Sequence, residues 1–368
     1  MSIPQRQSAG QFQTDFLSAS DAARLVARVG ITKVLRLITE AIEADFGRWQ
    51  DFDKSARTAA HSPSGVIELM PVADAQDYAF KYVNGHPLNP SHGLPTVMAF
   101  GALADVATGM PRVVSELTLT TALRTAATSA MAARHLGRAN SRSMALIGNG
   151  SQSEFQALAF MELLGVSELR LFDIDPASSQ KLLRNLQPFL LQFSATAIIC
   201  TSVQDAVAGT DVVTTVTADK TRAVIVAGHL LEPGMHINAV GGDCPGKTEF
   251  DAPALQRAQV FVEYEPQTRI EGELQQMPAD FAVTELWRVL QGKAPGRTAS
   301  EQITLFDSVG FALEDYSALR TMHSLARQFG LLSQIELVPA LTDPKDLFAM
   351  VRQATSAQTM SLVERKTA

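Results

Sequence analysis

The sequence predicts an α/β protein, in which a Rossmann-type parallel sheet domain is joined to an N-terminal α+β domain that the C-terminal helix completes. Two observations predict this fold class. Between residues 141 and 310, seven near-continuous apolar runs alternate with helix-like segments or loops, which is typical of a parallel sheet covered on both faces. Between residues 65 and 120, four runs rich in β-forming residues are separated by turn signals, which favours an antiparallel sheet.

The composition limits the class of protein. The chain has 368 residues, of which 46% are hydrophobic and 19% are charged, as in ordinary globular proteins. Its net charge of −7 argues against nucleic acid or an anionic membrane as the main partner. Only two cysteines, Cys200 and Cys244, are present, which argues against a disulfide framework and fits a cytoplasmic protein. No apolar run reaches the roughly 18 residues of a membrane-spanning helix.

The N-terminal part begins with a polar stretch and continues as helix and sheet. Residues 1–17 lack an apolar core, so we expect a flexible leader rather than a signal peptide. The apolar spacing over residues 31–49 predicts an amphipathic helix. An Ala-rich segment from Thr120 to about Leu136 is also predicted to be helical. The four predicted antiparallel strands are GVIELMP (65–71), YAFKYVNG (78–85), TVMAFGALAD (96–105) and RVVSELTLT (112–120).

The middle of the chain carries the predicted parallel sheet. Its seven strands are SRSMALIG (141–148), SELRLFDID (167–175), ATAIIC (195–200), DVVTTVT (211–217), MHINAVGG (235–242), AQVFVEY (258–264) and ITLFDSVG (303–310). From about residue 311 a long helix is predicted, which returns to the N-terminal domain. We therefore expect one domain to comprise residues 18–129 with 321–368, and the Rossmann-type domain to comprise residues 130–320.

The stretch MALIGNGSQSEF has the features of a dinucleotide-binding turn between a strand and a helix. Gly148 and Gly150 would let the backbone approach a pyrophosphate, and a helix beginning near Ser151 would present free N–H groups. Ser153 replaces the usual third glycine, and because serine is small we expect only a slightly wider helix–sheet spacing. Asp173, 25 positions after Gly148, ends the next strand, as a ribose-binding acid would. The alternative is a tight turn without ligand, but the order of turn, strand and acid favours a dinucleotide site. A carboxylate at Asp173 would accept hydrogen bonds from both ribose hydroxyls and repel a 2′-phosphate, which favours NAD over NADP.

Five ionisable residues lie in apolar or glycine-rich surroundings. They are Arg57, Glu68, Lys81, Arg124 and Asp243. Each alone could face solvent or form a structural ion pair, above all on strands, whose alternate positions face water. Together, the three cations could hold a substrate carboxylate and an acid could hold a distal ammonium group. Asp243 follows a strand of the nucleotide-binding domain, where ligands bind in open α/β sheets, and could take a proton there.

The histidines and cysteines predict no further chemistry. The histidines considered as metal ligands are His61, His86, His92 and His236. Their spacing is not that of a zinc site, so no metal is predicted. Cys244 lies beside Asp243, but no histidine is placed by sequence to activate it, which favours a passive small side chain over a nucleophile.

Several strings resemble those of the ornithine cyclodeaminase/μ-crystallin family, within which the match is to the bacterial cyclodeaminase branch. The resemblance runs from about Asp15 to Phe348. The strings GGDCPGKTE and EYEPQTRIEGE are specific to the cyclodeaminase branch. The other strings are KSAR, GVIELMPVAD, YAFKYVNGHP, TALRTAATS, MALIGNGSQSEFQALAF, LEPGMHINAV and FDSVGFALEDY.

The resemblance implies conversion of L-ornithine to L-proline and ammonia, with tightly held NAD used and regenerated within one turnover. It also implies a homodimer, in which the N-terminal domain serves both dimerisation and substrate binding. The positions matched at the substrate are Arg57, Lys81 and Arg124 for its carboxylate, Glu68 for its side-chain amine, Asp243 as acid and base, and Val309 beside it. The positions matched around NAD are Thr96, Arg124, Ser151, Gln152, Asp173, Thr217, Ile237, Asn238, Ala239, Val240, Lys247 and Ser308.

Three other functions stay open at this point. Lysine cyclodeaminase, which makes L-pipecolate, has a substrate longer by one methylene, worth only about 1–3 kcal/mol in pocket discrimination. An NAD-dependent amino-acid dehydrogenase or ketimine reductase of the same fold would use an exchangeable cofactor. A cofactor-loaded binding protein without activity would have no need of the acid at Asp243.

Overall fold

The computed structural model describes residues 12–218 and 222–355, and expectations for residues 1–11 and 356–368 lie outside this part of the chain. The strands are β1 (Thr14–Leu17), β2 (Asp53–Lys54), β3 (Thr58–Ser62), β4 (Gly65–Ala73), β5 (Asp77–Gly85), β6 (Val97–Asp105), β7 (Pro111–Glu116), β8 (Ser143–Ile147), β9 (Glu168–Phe172), β10 (Thr196–Ile199), β11 (Val212–Thr215), β12 (Arg222–Val226), β13 (His236–Ala239), β14 (Thr248–Phe250), β15 (Gln259–Val262), β16 (Thr284–Glu285), β17 (Thr304–Asp307) and β18 (Ser333–Ile335). The helices are α1 (Ala19–Val29), α2 (Ile31–Gly47), α3 (Thr118–Leu136), α4 (Ser153–Leu164), α5 (Pro176–Phe193), α6 (Val203–Val207), α7 (Ala252–Arg257), α8 (Glu265–Glu271), α9 (Leu286–Leu290) and α10 (Ala312–Gln328).

The first sheet is antiparallel at its centre. Its strand order is β18-β1-β7-β6-β5-β4-β2, with β3 also paired to β4, and α1, α3 and α10 contact its strands. The predicted antiparallel strands are confirmed as β4 to β7, and the predicted amphipathic helix as α2. The last strand ends at Glu116 rather than at residue 120. The reason is that the Glu116 carboxylate accepts the N–H of Leu119 at 2.9 Å and so begins α3.

The face of the first sheet that lies under the helices carries two charged side chains. Along β4, Glu68 is buried, whereas its neighbours Ile67 and Leu69 are 40% and 42% exposed. On β5, Lys81 is only 1% exposed. The inner face of β4 thus places Glu68 between the buried side chains of Val66 and Met70, while its outer face is also partly apolar. The solvent-facing alternative for Glu68 and Lys81 is wrong.

The second sheet is parallel throughout, which confirms the predicted fold class. Its order is β10-β9-β8-β11-β13-β17-β15-β16, and the seven predicted runs supply all its strands except β16. The small sheet of β12 and β14 was also not predicted. Because β8 pairs with both β9 and β11, the chain winds outward from β8 in opposite directions. A crevice for a ligand forms at such a switch point, at the carboxyl ends of the strands.

The two sheets share one hydrophobic core, and this changes three expected boundaries. Helix α3 packs against strands of both sheets, and one buried cluster extends from Leu17 to Phe306. The domain limits expected at 129/130 and 320/321 consequently fall inside α3 and α10. The expectation of a flexible leader is wrong for Thr14–Leu17, which forms β1 between β7 and β18 with Leu17 fully buried. No helix in the described part of the chain is both long and apolar enough to cross a membrane.

Candidate active site

The candidate site is a cavity between the two sheets, and it has two lobes. We call the first the charged lobe: the buried face of β4 and β5, helix α3 and the segments after β13 and β17 line it. The second, the glycine-turn lobe, lies at the carboxyl ends of β8 and β11. The residues that line both lobes are Gly85, Val97, Gln152, Val240 and Asp243. A ligand in one lobe would therefore meet a ligand in the other.

The glycine turn after β8 lies directly against the neighbouring strand. Gly148 has a φ of +90°, and a Cβ there would lie 2.9 Å from the carbonyl of Val216, just after β11. Only glycine therefore fits this position. Helix α4 begins at Ser153, two residues later than expected, so the preceding residues belong to the turn. The turn residues that line the glycine-turn lobe are Gly150, Ser151 and Gln152.

The serine at the third fingerprint position and the acid after β9 both stabilise this turn. Ser153 is fully buried, and its hydroxyl donates to the carbonyl of Gly150 at 2.7 Å. The serine thus closes the turn, which is a role that a third glycine could not fill. The Asp173 carboxylate accepts the N–H of Asn149 at 2.6 Å and that of Asp175 at 2.8 Å. These bonds hold Asp173 beside the turn, although it does not itself line either lobe.

Of the four consecutive residues expected near the cofactor at β13, only Val240 reaches the cavity. Ile237, Asn238 and Ala239 are fully buried inside the strand, where the Asn238 amide bonds to Thr214 of β11. Their side chains belong to the sheet, so they position the strand rather than line the lobe. The other expected cofactor residues are placed at the cavity: Thr96, Thr217 and Lys247 in the glycine-turn lobe, and Arg124 and Ser308 in the charged lobe.

Arg57 joins the two sheets at the charged lobe. Its side chain is 5% exposed, and its guanidinium lies 2.9 Å from Glu68 of β4 and 3.0 Å from Glu271 at the end of α8. One guanidinium nitrogen also donates to the carbonyls of Val309 and Gly310, at 2.5 and 2.6 Å. Burial would lower the pKa of Arg57, but the two carboxylates raise it above its usual range.

Lys81 and Arg124 share carboxylates at the start of α10. The Lys81 amine lies 2.7 Å from Asp315, whose other oxygen lies 3.0 Å from Arg124 Nε. Arg124 also pairs with Glu314 at 2.9 Å. Burial, with Arg124 close by, lowers the pKa of Lys81 to about 8. Burial likewise raises the pKa of Glu314 to about 8, in spite of the neighbouring Arg124. The three predicted carboxylate-binding cations are therefore brought together, but each already has an acidic partner.

Four buried acids of this network were not predicted from the sequence. They are Glu263, Glu271, Glu314 and Asp315. Glu263 accepts the hydroxyl of Ser308 at 2.7 Å and the N–H of Gly310 at 3.2 Å, and so shapes the segment after β17. Burial raises the pKa of Glu271 to about 7, with Arg57 opposing the shift. Their place in the chain could have indicated them as site residues, since all four follow β15 or β17, at the edge where ligands bind in parallel sheets.

Asp243 differs from these acids because its side chain is 51% exposed. It lines both lobes, and Lys247 lies 3.3 Å from one of its oxygens while donating to the carbonyl of Thr217 at 2.8 Å. Burial would lower the pKa of Lys247, but the carboxylates of Asp243 and Glu249 raise it. Cys244 is buried and lines the charged lobe. Asp243 is thus a solvent-accessible acid at the junction of the lobes.

The arrangement suits a ligand that carries both a carboxylate and amino groups. Cations and acids alternate around the charged lobe, so a ligand of one charge alone would leave buried groups unpaired. The glycine-turn lobe offers backbone N–H groups and a helix start, which suit a phosphate-containing ligand. Among the described residues, no group of three His, Cys, Asp or Glu side chains is placed to hold a metal ion.

Known proteins with similar sequences and structures were found. The model of the Ornithine cyclodeaminase/mu-crystallin family matches residues 20–329. The chain is 54% identical over 336 residues to the ornithine cyclodeaminase of Brucella suis biovar 1 (strain 1330), covering 91% of this chain and 93% of that protein. A structure of lysine cyclodeaminase, which shows recognition of L-lysine, L-ornithine and L-2,4-diaminobutyric acid, is similar with a TM-score of 0.83 at 29% identity, over 92% of this chain and 99% of that one. An archaeal alanine dehydrogenase dimer with bound NAD is similar with a TM-score of 0.80 at 28% identity, over 89% and 100% of the chains.

We expect carboxylate binding in the charged lobe to weaken as the pH rises. Lys81, with a pKa of about 8, is cationic below that pH and neutral above it. Glu271, with a pKa of about 7, becomes negative beside Arg57 over the same range, so both changes disfavour an added carboxylate. Pentanoate isolates the effect because it has no titrating amine. Its affinity, measured by calorimetry at constant ionic strength, should fall as the pH rises through the pKa values of Glu271 and Lys81, by up to about tenfold per pH unit for each of the two groups.

The variant Glu271→Gln serves as the control for this profile. It removes the charge that appears near pH 7, so the decrease should begin only near the pKa of Lys81, at about 8. A pentanoate affinity that stays constant across both pKa values in the wild-type protein would contradict the assignment of the charged lobe as a carboxylate site.

Proposed function

Since the chain belongs to the ornithine cyclodeaminase/mu-crystallin family, we propose that it converts L-ornithine to L-proline and ammonia with bound NAD. The observation that carries the proposal is the meeting of a carboxylate-binding cation cluster with Glu68 and Asp243 in one cavity. L-Ornithine has one carboxylate and two amino groups, which match the cations and the acids of the charged lobe. Identity to the ornithine enzyme is higher than to the lysine enzyme, which supports ornithine as the substrate.

The glycine-turn lobe fits NAD. The turn approaches β11 so closely that Gly148 has no room for a side chain, and the lobe stays open beyond it. The side-chain oxygen of Gln152 is buried there, without a hydrogen-bond partner among the described residues. Gly150, Ser151 and Gln152 would hold the pyrophosphate, and Asp173 the adenine ribose. When bound, NAD supplies the acceptor for a hydride from the substrate and returns it later in the same turnover.

The substrate carboxylate would bind among Arg57, Lys81 and Arg124. All three are buried and charged groups of an ion-pair network, so the carboxylate replaces part of their contact with the acids. Its arrival would also favour the protonated form of Lys81, whose pKa in the ligand-free protein is about 8. Anchoring at three cations fixes the α-carbon of the substrate at the junction of the lobes, close to Asp243.

Asp243 and Glu68 would handle the two amino groups. Asp243 would accept a proton from the α-ammonium group, because the α-carbon can be oxidised only when this nitrogen has a free lone pair. Glu68, on the wall formed by β4, would orient the δ-amine toward the same carbon. Attack by this amine closes the five-membered ring and the α-nitrogen leaves as ammonia. Holding amine and carbon together makes the attack intramolecular, which lowers its barrier greatly.

A single assay tests the proposed function. The protein as purified is incubated with L-ornithine or with L-lysine, without added NAD, and ammonia, cyclic product and NADH are measured. We expect proline and ammonia in equal amounts from ornithine, with no net NADH, because the reaction involves no net oxidation. Formation of at most one NADH per enzyme, without proline and with turnover only when NAD is added, would instead indicate a dehydrogenase. Faster turnover of lysine to pipecolate would identify a lysine cyclodeaminase.

The variant Asp243→Asn tests the assigned acid and base. Asparagine keeps the size of the side chain but cannot accept the ammonium proton, so kcat should fall by about 10²–10⁴-fold. Bound NAD, measured after denaturation, should remain at the wild-type level. Asp280→Asn is the matched control, since Asp280 is exposed and lines neither lobe. Turnover close to wild type in Asp243→Asn would remove this residue from its proposed role.

A homodimer through the outer face of the first sheet is part of the proposal. Leu69, Tyr82 and Phe100 lie side by side across β4, β5 and β6, and the last two rings stack with centroids 5.0 Å apart. Leu69 and Phe100 are 42% and 46% exposed, and Ile67 and Met98 extend the same patch. Contiguous apolar surface of this kind marks an interaction site. A second copy of the chain is the occupant we propose, because the similar alanine dehydrogenase is a dimer.

A charged substitution on this patch should separate the dimer. Phe100→Glu would bury an unpaired carboxylate at the centre of the interface, which costs several kcal/mol and shifts the protein to monomers. Sedimentation velocity measures the shift. Leu191→Glu is the control, because Leu191 is 82% exposed on α5, away from the first sheet. A Phe100→Glu protein that sediments like the wild type, or a wild type that is monomeric, would contradict this interface.

A further inference from the structure

Three buried acids lie behind the two lobes and have no role in the mechanism above. Glu249 of β14, Glu273 after α8 and Asp307 at the end of β17 are 1%, 0% and 0% exposed. None of them lines either lobe. Burying a carboxylate is costly unless hydrogen bonds replace its hydration, so three such groups together require a structural reason.

The three acids are linked in series, because Asp307 and Glu273 each accept hydrogen bonds from backbone N–H groups of the segment that carries the next acid. Asp307 accepts the N–H groups of Glu273 and Leu274, both at 2.9 Å. Glu273 in turn accepts the N–H groups of Glu249 at 2.7 Å and Phe250 at 3.2 Å. A continuous chain of hydrogen bonds therefore leads from the end of β17 to β14.

Glu249 then ties together the loops that follow two neighbouring strands. One of its oxygens accepts the N–H and the hydroxyl of Thr217, at 2.9 and 2.5 Å. The other accepts the N–H of Gly241 at 2.9 Å. Thr217 follows β11 and Gly241 follows β13, two positions before Asp243. Lys247 makes a second connection between the same loops, since it contacts both Asp243 and the carbonyl of Thr217.

Three glycines make room for the three acids. A Cβ on Gly241 would overlap the Glu249 carboxylate. A Cβ on Gly242 would lie 2.6 Å from an oxygen of Glu273, and one on Gly272 would lie 2.6 Å from an oxygen of Asp307. The two strings GGDCPGKTE and EYEPQTRIEGE supply all of these residues except Asp307. The glycines and acids of these strings are therefore parts of one packed arrangement.

Carboxylates, and not amides, suit this arrangement because both oxygens of each acid accept hydrogen bonds. A glutamine at position 249 would turn an NH₂ group toward either Thr217 or Gly241, where another donor already lies. Burial raises the pKa values of Asp307 and Glu273, and the backbone N–H groups that donate to both acids oppose this shift.

We propose that Glu249, Glu273 and Asp307 are positioning residues that hold the Asp243 loop at a fixed distance from the end of β11. We call them the carboxylate relay. The inference rests on the proposed function, in which Asp243 acts at the junction between substrate and cofactor. Loss of the relay lets Asp243 move relative to the substrate, which lowers kcat more than it raises KM, because the carboxylate-binding cations stay in place.

Hydrogen–deuterium exchange of the ligand-free full-length protein tests the relay without any activity. In Glu249→Gln, peptides containing Thr217 and Gly241 should exchange about tenfold faster, because each amide loses or weakens its acceptor. Peptides from β4 and β5 should be unchanged. Glu301→Gln, at an exposed glutamate remote from both lobes, is the matched control. Unchanged exchange at both sites in Glu249→Gln would overturn the proposal.

Kinetics and a second substitution give an independent test. In Glu249→Gln, kcat for ornithine should fall about 10- to 100-fold while KM changes less than about threefold. Gly241→Ala disturbs the same contact from its other side, so the losses of kcat in the double variant should be much less than multiplicative. Multiplicative losses, or an unchanged kcat, would contradict a shared positioning role.

Failure of the relay and failure of the proposed function give different results. A wild-type protein that does not turn over ornithine refutes the function, while the exchange measurement still decides whether the relay holds the two loops. If Glu249→Gln does not fold, Thr217→Val removes only the hydroxyl contact. This milder variant should raise amide exchange at Gly241 and Thr217 by a smaller factor than Glu249→Gln does, and it should lower kcat by a correspondingly smaller factor. No change in either quantity would overturn the proposal.

Discussion

The burial of Arg57 between the two sheets is the constraint on which the site depends. A guanidinium removed from water costs several kcal/mol unless its N–H groups find acceptors. Here the acceptors are Glu68 on β4 and the carbonyls of Val309 and Gly310 after β17, and Glu271 at the end of α8 adds an ion pair. The two sheets must therefore meet in one relative position. Their shared core, which α3 completes, supplies that position.

The ion-pair network behind the charged lobe contains more acids than cations, and this bears on which ligands can bind. Arg57, Lys81 and Arg124 all pair with carboxylates before any ligand arrives. A ligand carboxylate must therefore displace an acid, and the displaced acid then needs a cation of its own. A ligand that brings amino groups supplies that cation, whereas a simple carboxylic acid leaves a buried charge unpaired. These ion pairs are consistent with the proposed substrate, an amino acid that has a second amine.

The strands that are continuous apolar runs could be predicted from the sequence. The contacts between residues far apart in the chain could not. The parallel strands were predictable because each is a continuous apolar run. Strand β1 was missed because its partners lie about a hundred or more positions away, at Val113 and Gln334. Glu68 and Lys81 were recognised as unusual, but their direction was ambiguous, since the outer face of β4 is also apolar. Because both faces of β4 carry apolar side chains, the sequence alone does not show which face, and hence which charge, is buried.

The site itself was predictable as a set of residue types and not as a network. The resemblance marked Asp243 and the cations, because their chemistry is needed at the substrate. It also marked Ile237, Asn238 and Ala239, whose side chains are buried in the sheet around β13. A sequence match does not show whether a residue lines a site with its side chain or only forms part of the strand that supports it. In the sequence, Glu271 and Glu314 are indistinguishable from ordinary acidic residues near the ends of helices. Only their burial against Arg57 and Arg124 distinguishes them.

The glycines around Asp243 show how a sequence pattern can point to the wrong physical cause. Adjacent glycines before an acid suggest a turn that needs positive φ, yet among these residues only Gly246 has one. Gly241 and Gly242 are instead required because carboxylates lie where their side chains would be. At Gly148 both causes apply, since its φ is +90° and a backbone carbonyl just after the neighbouring strand β11 lies close to where its side chain would be. In each case the missing side chain lets a polar group approach the backbone closely, and these close approaches set the distances between the loops that form the two lobes.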